Sequence, residues 1–419
     1  MTILLLLFYV GLFCLLIRKL PYFANSGIST STLIAVFLAK TIVGISYGFI
    51  HKFWFLGGDT WIFFEESQRL AATFADYPQY YIRSIFGLAV DTPAADVFIY
   101  PSSSMFWRDL GTYAVVHVNA ALIPLSGGKY EVHIVFMAIL SLCAGLNLYK
   151  VFRKAFEMPQ NLLILGCFLL PSLLFWTAGI HKDVFLFWGL SLVLLALTER
   201  RWLLMLFAFL VVGITRHYAL ALLLPAFFAY FWAQRFPRRV VLNLSLIFGL
   251  SVIAALAIDA FAFDGKAWAI LSARQQAFFN EVGGSKIVGV SPLKKDFSLI
   301  YQIPQGLINV FARPFLWESQ SILQFFAALE TSAILFVFIL SAFFFRHNAQ
   351  RSAFFYFLLV FAISYLLLIG LLVANEGTIV RYRAVPLGFL VVMAWHLTDF
   401  ARIRRLFSAP SVKNLRTFP

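Results

Sequence analysis

A polar turn with the sequence Gly57-Gly58-Asp59-Thr60 follows the second long apolar run of the chain and holds the first candidate for chemistry. A carboxylate such as Asp59 can act as a general base that takes the proton of an attacking hydroxyl. Asp is also a favoured N-cap residue, so Asp59 can instead begin the helix that the residues behind it predict. Glu66 lies about two turns further along that helix and is the second candidate catalytic carboxylate.

Basic side chains gather in four later turns of the chain. Arginine forks and lysine point charges are groups that bind phosphate and pyrophosphate, although a single cation can also anchor its segment at the lipid–water interface. Arg381 and Arg383 are two residues apart, and in an extended turn their side chains point the same way. The candidate phosphate-binding residues are Lys182, Arg216, His217, Arg313, Arg381 and Arg383. Beside Asp59, they predict an enzyme with a phosphate-containing substrate.

The sequence contains no spacing typical of metal ligands. Neither HxxxH nor HExxH occurs, and the three cysteines lie inside apolar runs, where cysteine acts as a small core residue. The residue pattern therefore predicts no metal site.

The composition indicates where such an enzyme would work. The chain has 419 residues, of which 62% are hydrophobic and 12% charged, whereas a soluble domain carries about 25% charged residues. Apolar runs of about 20 residues recur throughout and predict an all-α, polytopic helical membrane protein. The net charge of +14 is explained by basic clusters between the runs, which favour the cytoplasmic side. We therefore expect membrane lipids as partners and no nucleic acid.

The apolar runs predict a single transmembrane domain, residues 1–419, with about eleven transmembrane helices. The predicted spans are residues 4–17, 34–50, 132–148, 162–176, 184–197, 202–214, 219–232, 241–261, 322–345, 354–374 and 385–397. Basic clusters at alternate turns place the N-terminus outside, the loops 51–131 and 262–320 outside, and the basic tail 400–419 in the cytoplasm. Charges fall at the ends of spans in this scheme, and all candidate site residues lie on the outer side.

Both external loops are expected to contain helices that do not cross the membrane. The residues after Asp59 predict an amphipathic surface helix, and residues 113–125 are too short to span, which favours a re-entrant or interfacial helix. Residues 299–317 have a similar amphipathic pattern. Gly283-Gly284 and the Ser285-Lys286 pair behind them predict a mobile lid in the second loop.

In these features the chain resembles the GT-C superfamily of integral membrane glycosyltransferases, which use polyprenyl-phosphate-linked sugars. The resemblance rests on the acidic turn after an early span, the surface helix behind it, the short re-entrant helix and the later external arginines. The chain is also similar to bacterial membrane proteins associated with surface polysaccharide in three segments: PSLLFWTAGIHKD at 171–183, RPFLWE at 313–318 and EGTIVRYR at 376–383.

The resemblance implies roles for five of the candidate residues. Asp59 would be the catalytic base, and Lys182, Arg216, Arg381 and Arg383 would bind the lipid phosphate. Many GT-C enzymes have a second acidic residue before the first, whereas Gly58 stands there in this chain. The resemblance therefore leaves a divalent metal cofactor open.

Three functions remain open from the sequence. The first is a GT-C-like transferase at the outer face of the bacterial cytoplasmic membrane. The second is a Wzy-like polysaccharide polymerase, which also uses lipid-pyrophosphate substrates and differs in product length. The third is a flippase or transporter of lipid-linked saccharides, for which charged residues in the middle of spans and interrupted helices would be expected.

Overall fold

Long apolar runs need all their backbone groups paired within the segment when they lie in lipid, and helices meet this need. The computed structural model describes residues 1–55, 57–76, 78–88, 109–236, 246–247, 249–250, 266–280, 288–293 and 298–407. Every regular element in these residues is helical, apart from an isolated antiparallel bridge between Phe345 and Thr398. The predicted all-α class is confirmed for this part of the chain.

Seven helices form the N-terminal part of the described chain. They are α1 (Thr2–Lys19), α2 (Pro21–Ala24), α3 (Thr30–Phe53), α4 (Asp59–Asp76), α5 (Pro78–Ile85), α6 (Leu110–Ser126) and α7 (Tyr130–Ala155). Ser29 caps α3, where its hydroxyl accepts the Thr32 amide at 3.1 Å. Asp109 caps α6 in the same way through the Thr112 amide.

The middle of the chain contains an interrupted helix followed by three continuous ones. The interrupted helix consists of α8 (Gln160–Ile164), a π-helical turn at Leu165–Leu169 and α9 (Pro171–Trp176). It breaks before Pro171, whose ring cannot continue the helix because it lacks a backbone N–H. The continuous helices are α10 (Lys182–Glu199), α11 (Trp202–Thr215) and α12 (His217–Arg235).

The C-terminal part of the described chain contains six α-helices and one short 3₁₀ turn. The α-helices are α13 (Lys266–Asn280), α14 (Ser298–Phe311), α15 (Ile322–Phe343), α16 (Ala353–Leu372), α17 (Glu376–His396) and α18 (Phe400–Phe407). The 3₁₀ turn at Leu316–Glu318 precedes α15. Gly306 of α14 and Gly370 of α16 mark a close helix crossing, because a Cβ on Gly370 would lie 2.2 Å from the Gly306 carbonyl oxygen.

Six of the described helices are long and apolar enough to cross a membrane: α1, α3, α7, α15, α16 and α17. Large apolar side chains such as Leu203, Leu206 and Phe336 remain exposed on the outer faces of helices, as expected for contact with lipid. The chain is therefore a helical membrane protein. The predicted count of about eleven spans is not confirmed.

Several predicted elements differ from the observed ones. The span predicted at 162–176 is interrupted, and the last span begins at Glu376, nine residues earlier than the predicted residue 385. The segment predicted at 113–125 is the 17-residue helix α6, which packs against α4. The predicted lid at 283–286 and most of the predicted span at 241–261 lie outside the described residues.

The expectation that charges occur only at span ends is wrong. Lys40 lies inside α3, is fully buried and donates to the Ser141 hydroxyl at 2.8 Å. Glu330 lies inside α15 and is also buried. Both positions are tolerated because the bundle supplies hydrogen-bond partners, which the hydropathy of the sequence does not reveal.

The bundle has two polar ends with different chemistry. Helices α7 and α17 are the most buried of the candidate spans, and α3 and α10 pack against α7. At one end lie Lys150, which donates to the Tyr22 carbonyl at 2.9 Å, and Arg346, which pairs with Glu157 at 2.6 Å. At the opposite end, the first turns of α4, α10 and α17 come together, joined by the turn before α12.

Candidate functional site

The turn between α3 and α4 directs Asp59 toward the first turns of α10 and α17. Gly57 and Gly58 have φ values of 143° and 140°, in the region that favours glycine. A Cβ on Gly58 would also lie 2.8 Å from Cδ2 of His51. The two glycines therefore permit the sharp reversal that ends α3 and starts α4 at Asp59, whose side chain remains 49% exposed.

Arg381, in the second turn of α17, is the centre of the site. Its Nη1 donates to Oδ2 of Asp59 at 2.8 Å, and its Nε donates to Oδ2 of Asp183 at 2.5 Å. Its Nη2 donates to Nδ1 of His181 at 3.1 Å. All three nitrogens of the guanidinium are thus bound by groups from distant parts of the chain, and the side chain is only 14% exposed.

Asp183 connects Arg381 to another arginine, Arg216, which is buried. Nη2 of Arg216 donates to the other oxygen of Asp183 at 2.7 Å, and both of these side chains are 6% exposed. The Arg216 guanidinium lies 3.8 Å from the ring centroid of Tyr382 and donates to the Tyr218 hydroxyl at 2.7 Å. The result is a chain of alternating charges, which we call the charge network: Asp59, Arg381, Asp183 and Arg216.

His181 joins the network as a neutral ring. Burial, followed by the positive charge of Arg381, holds the pKa of His181 well below its usual range. Its Nδ1 therefore accepts from Arg381, and Nε2 carries the proton toward the Tyr47 hydroxyl at 2.5 Å. This pairing ties α3 to the first turn of α10.

Asp59 is ionised in this setting. Burial opposes the charge, but the positive charge of the adjacent Arg381 and its hydrogen bond outweigh it, so the pKa of Asp59 lies below its usual value. The carboxylate can accept a proton, but it is a weak base while it contacts Arg381.

A cavity of about 720 Å³ opens in front of Asp59 and Arg381. Its charged lining consists of three carboxyl groups and one guanidinium, supplied by Asp59, Glu330, Glu376 and Arg381. Its aromatic lining is Tyr47, Phe55, Phe175, Trp176, Phe326 and Tyr382. Phe326 is 58% exposed on the candidate span α15, so one wall of the cavity is continuous with the apolar outer surface.

Glu330 is fixed in the cavity wall by the start of α9. Its two oxygens accept the Ser172 amide at 2.9 and 3.1 Å, and one of them also accepts the Ser172 hydroxyl at 3.0 Å. The amide of a first-turn residue stabilises a carboxylate. The break before Pro171 thus creates the donor that holds Glu330 inside a span.

Only part of the predicted site meets at this cavity. Asp59 and Arg381 line it, and Arg216 lies behind Asp183. Lys182 is next to His181 in sequence, but it pairs with Asp109 at 2.7 Å and does not line the cavity.

Three other predicted residues also lie away from the cavity lining. Glu66 is buried in α4 and pairs with Arg69 at 2.9 Å. Arg313 is 3.5 Å from Glu318. His217 is exposed at the start of α12.

Arg383 requires a correction, because the extended turn predicted for Arg381 and Arg383 is a helix. Residues two apart on a helix point about 200° away from each other. Arg383 therefore turns into the protein, where it donates to the carbonyls of Val310 and Arg313 and to the Thr331 hydroxyl. These contacts join α17 to α14 and α15.

Several residues of the cavity and the charge network were not among the candidate site residues predicted from the sequence. They are Tyr47, Trp176, His181, Asp183 and Glu330. An available signal was the presence of an acidic residue inside the apolar run at 322–345, since such residues are often functional. The aromatic residues gave no signal, because the chain contains 49 Phe and a lining aromatic cannot be distinguished by type.

Within the described residues, no group of three His, Cys, Asp or Glu side chains is arranged to hold a metal ion. No family model, curated protein or solved structure matches the chain.

Proposed function

We propose that the protein is a GT-C-like membrane glycosyltransferase that uses a polyprenyl-phosphate-linked sugar in the assembly of a bacterial cell-surface polysaccharide or glycolipid. The observation that carries the proposal is the cavity shared by Asp59 and Arg381, with its wall of exposed Phe326 on a candidate span. The cavity thus has a charged part and an apolar part. A lipid-linked sugar has two such parts as well, because its prenyl chain is apolar while its phosphate and sugar are polar.

The proposed reaction assigns one task to each of the two charged residues. An acceptor hydroxyl attacks the anomeric carbon of the donor sugar, the new glycosidic C–O bond forms, and the bond between that carbon and the phosphate oxygen breaks. Asp59 takes the proton of the acceptor hydroxyl. Arg381 stabilises the negative charge that grows on the leaving polyprenyl phosphate.

The remainder of the cavity suits the sugar groups. Glu330, Glu376 and Gln324 supply hydrogen-bonding atoms, and Gln324 itself donates to Glu376. The Trp176 ring supplies an apolar face of the size of a sugar ring. These side chains would orient the donor sugar and the acceptor relative to Asp59.

Replacing Arg381 by Lys tests this assignment. Lysine keeps the charge but loses the fork that reaches Asp59, Asp183 and His181 together. Loss of one hydrogen bond to a charged group corresponds to roughly a 10- to 100-fold loss of transfer rate. The measurement is sugar transfer from a polyprenyl phosphate sugar in proteoliposomes, at matched protein abundance.

Arg402→Lys is the control, because Arg402 is exposed in α18 at the opposite end of the bundle. Equal transfer by the two variants would remove Arg381 from the site. Product length in the same assay separates single-sugar transfer from a Wzy-like polymerase.

The proposal includes an orientation: the charge network faces the outside, the N-terminus is outside, and the end with Lys150 and Arg346 is cytoplasmic. In a variant without the three native cysteines, a cysteine at Glu65 is expected to react with a membrane-impermeant thiol reagent added to intact cells. A cysteine at Lys154, whose side chain is 68% exposed, is expected to react only after permeabilisation. Labelling of position 154 in intact cells would contradict the orientation.

Two observations also favour transport of a lipid-linked saccharide as a second candidate function. Lys40 and Glu330 lie inside candidate spans, and the helix at 160–176 is interrupted before Pro171. Interrupted helices and buried charges are typical of transporters. The same proteoliposomes distinguish the functions, because a transporter moves the labelled lipid between leaflets without forming a new glycosidic bond.

A further inference from the structure

The charge network contains one contact that a ligand can replace. Arg381 is held by Asp183, His181 and Asp59, of which the first two are buried. Asp59 is 49% exposed and follows two glycines with positive φ. The Asp59 contact is therefore the most exposed of the three.

Asp59 also occupies the place where an anionic ligand would bind. Nη1 of Arg381 donates to the Asp59 carboxylate. Both groups line the cavity, side by side. A phosphate that approached Arg381 would meet a like charge at the donor it needs, and like charges at contact distance repel. Nη1 carries a second N–H, but a phosphate that used it would lie against the Asp59 carboxylate, so the two anions compete for this side of the guanidinium.

We propose that Asp59 is an internal stand-in for a substrate phosphate: a phosphate group binds Arg381 in its place and displaces the Asp59 carboxylate into the cavity. The ligand class, a phosphate ester of a lipid-linked sugar, rests on the proposed function. The shared chemistry is a phosphate group, on a prenyl chain or free.

The rest of the network keeps Arg381 in place during this exchange. Asp183 bridges Arg381 and Arg216, and Arg216 stacks on Tyr382 and bonds to Tyr218. The guanidinium thus remains aimed at the cavity when Asp59 leaves. The exchange needs only a rotation of the Asp59 side chain or a small movement of the Gly57-Gly58 turn.

The exchange links donor binding to base activation. While Asp59 contacts Arg381, its pKa is held below the usual value and it is a weak base. Once the phosphate neutralises Arg381, the pKa of Asp59 moves back toward its usual value. Asp59 is then a stronger proton acceptor. Because only a bound donor releases its carboxylate from Arg381, the base becomes active only next to a donor.

The test measures anion binding separately from transfer. Purified full-length protein is titrated with geranyl phosphate and, in a parallel arm, with inorganic phosphate. Asp59→Asn removes the competing charge and is expected to bind geranyl phosphate about tenfold or more tightly than the wild type. Glu65 is an exposed carboxylate about one and a half turns along α4, and Glu65→Gln is expected to bind geranyl phosphate like the wild type. Arg381→Lys is expected to lose binding.

Unchanged or weaker binding by Asp59→Asn, or no binding by any protein, overturns the inference. Tighter binding of both anions supports a site for the phosphate group itself, and tighter binding of geranyl phosphate alone supports a lipid-borne phosphate. A wild-type protein without transfer activity whose Asp59→Asn variant still binds more tightly would refute the glycosyltransferase and keep the exchange. Active sugar transfer by the wild type, without tighter phosphate binding by Asp59→Asn, would refute the exchange and keep the glycosyltransferase.

Discussion

Asp59→Asn abolishes sugar transfer while leaving the protein at normal abundance in the membrane: this is the largest effect on activity that the site leads us to expect. Asparagine is nearly isosteric, so the turn before α4 can keep its shape, but it cannot accept the proton of the acceptor hydroxyl. Loss of a general base typically lowers the rate by about 10² to 10⁴. The measurement is transfer in membranes or proteoliposomes, together with quantified protein.

Two neighbouring carboxylates provide matched controls for this variant. Glu65 is exposed on α4, so Glu65→Gln is expected to transfer normally. Glu66 is buried against Arg69 and away from the cavity lining, so Glu66→Gln is expected to have a milder effect than Asp59→Asn. Full activity of Asp59→Asn at normal abundance would reduce Asp59 to an ion-pair partner of Arg381 and remove the basis of the GT-C proposal.

Asp183→Ala is expected to cause the largest loss of stability. Asp183 is 6% exposed and is the carboxylate between the buried guanidinium of Arg216 and that of Arg381, which is 14% exposed. Removing one partner of a buried ion pair costs about 3–5 kcal/mol, because the remaining charge is left without compensation. We expect a large fall in the Tm of the detergent-purified protein, or failure to accumulate in the membrane.

Glu157→Ala is the matched control. It also removes a carboxylate from an ion pair with an arginine, Arg346 at 2.6 Å, but the Glu157 side chain is 67% exposed. Exposed pairs contribute about 0–1 kcal/mol, so this variant should unfold near the wild-type Tm. Asp183→Asn keeps the shape of the side chain and some of its hydrogen bonds, and should fall between the two. Equal Tm values for Asp183→Ala and Glu157→Ala would show that Asp183 does not stabilise the bundle.

The class of the protein could be predicted from the sequence, because hydropathy is a local property. Apolar runs of membrane length follow each other along the chain, and a run of this kind favours a helix because a helix pairs its backbone groups within the segment. The approach of Asp59, Lys182 and Arg381 to one end of the bundle was also predictable, since each adjoins the end of an apolar run. The N-caps at Ser29 and Asp109 follow equally local rules.

The pairing within the site could not be predicted, because it depends on contacts between remote segments. Arg381 is 322 residues from Asp59 and 198 residues from Asp183, and nothing in their local sequence identifies them as partners. The start of α17 was missed for a related reason. Arg381 and Arg383 were expected in an extended turn before the last span, but Asn375 caps a helix that contains both of them.

The sequence by itself thus determined that this protein is helical, that it belongs in a membrane and that a carboxylate and several cations lie near one end. Only the tertiary structure decided which cation faces the carboxylate. Helical geometry turns Arg383 toward the carbonyls of Val310 and Arg313, while it turns Arg381 toward Asp59 and Asp183. The physical reason is that burying a guanidinium requires acceptors around it, and the packing of several helices, not the order of residues in one, determines where those acceptors are.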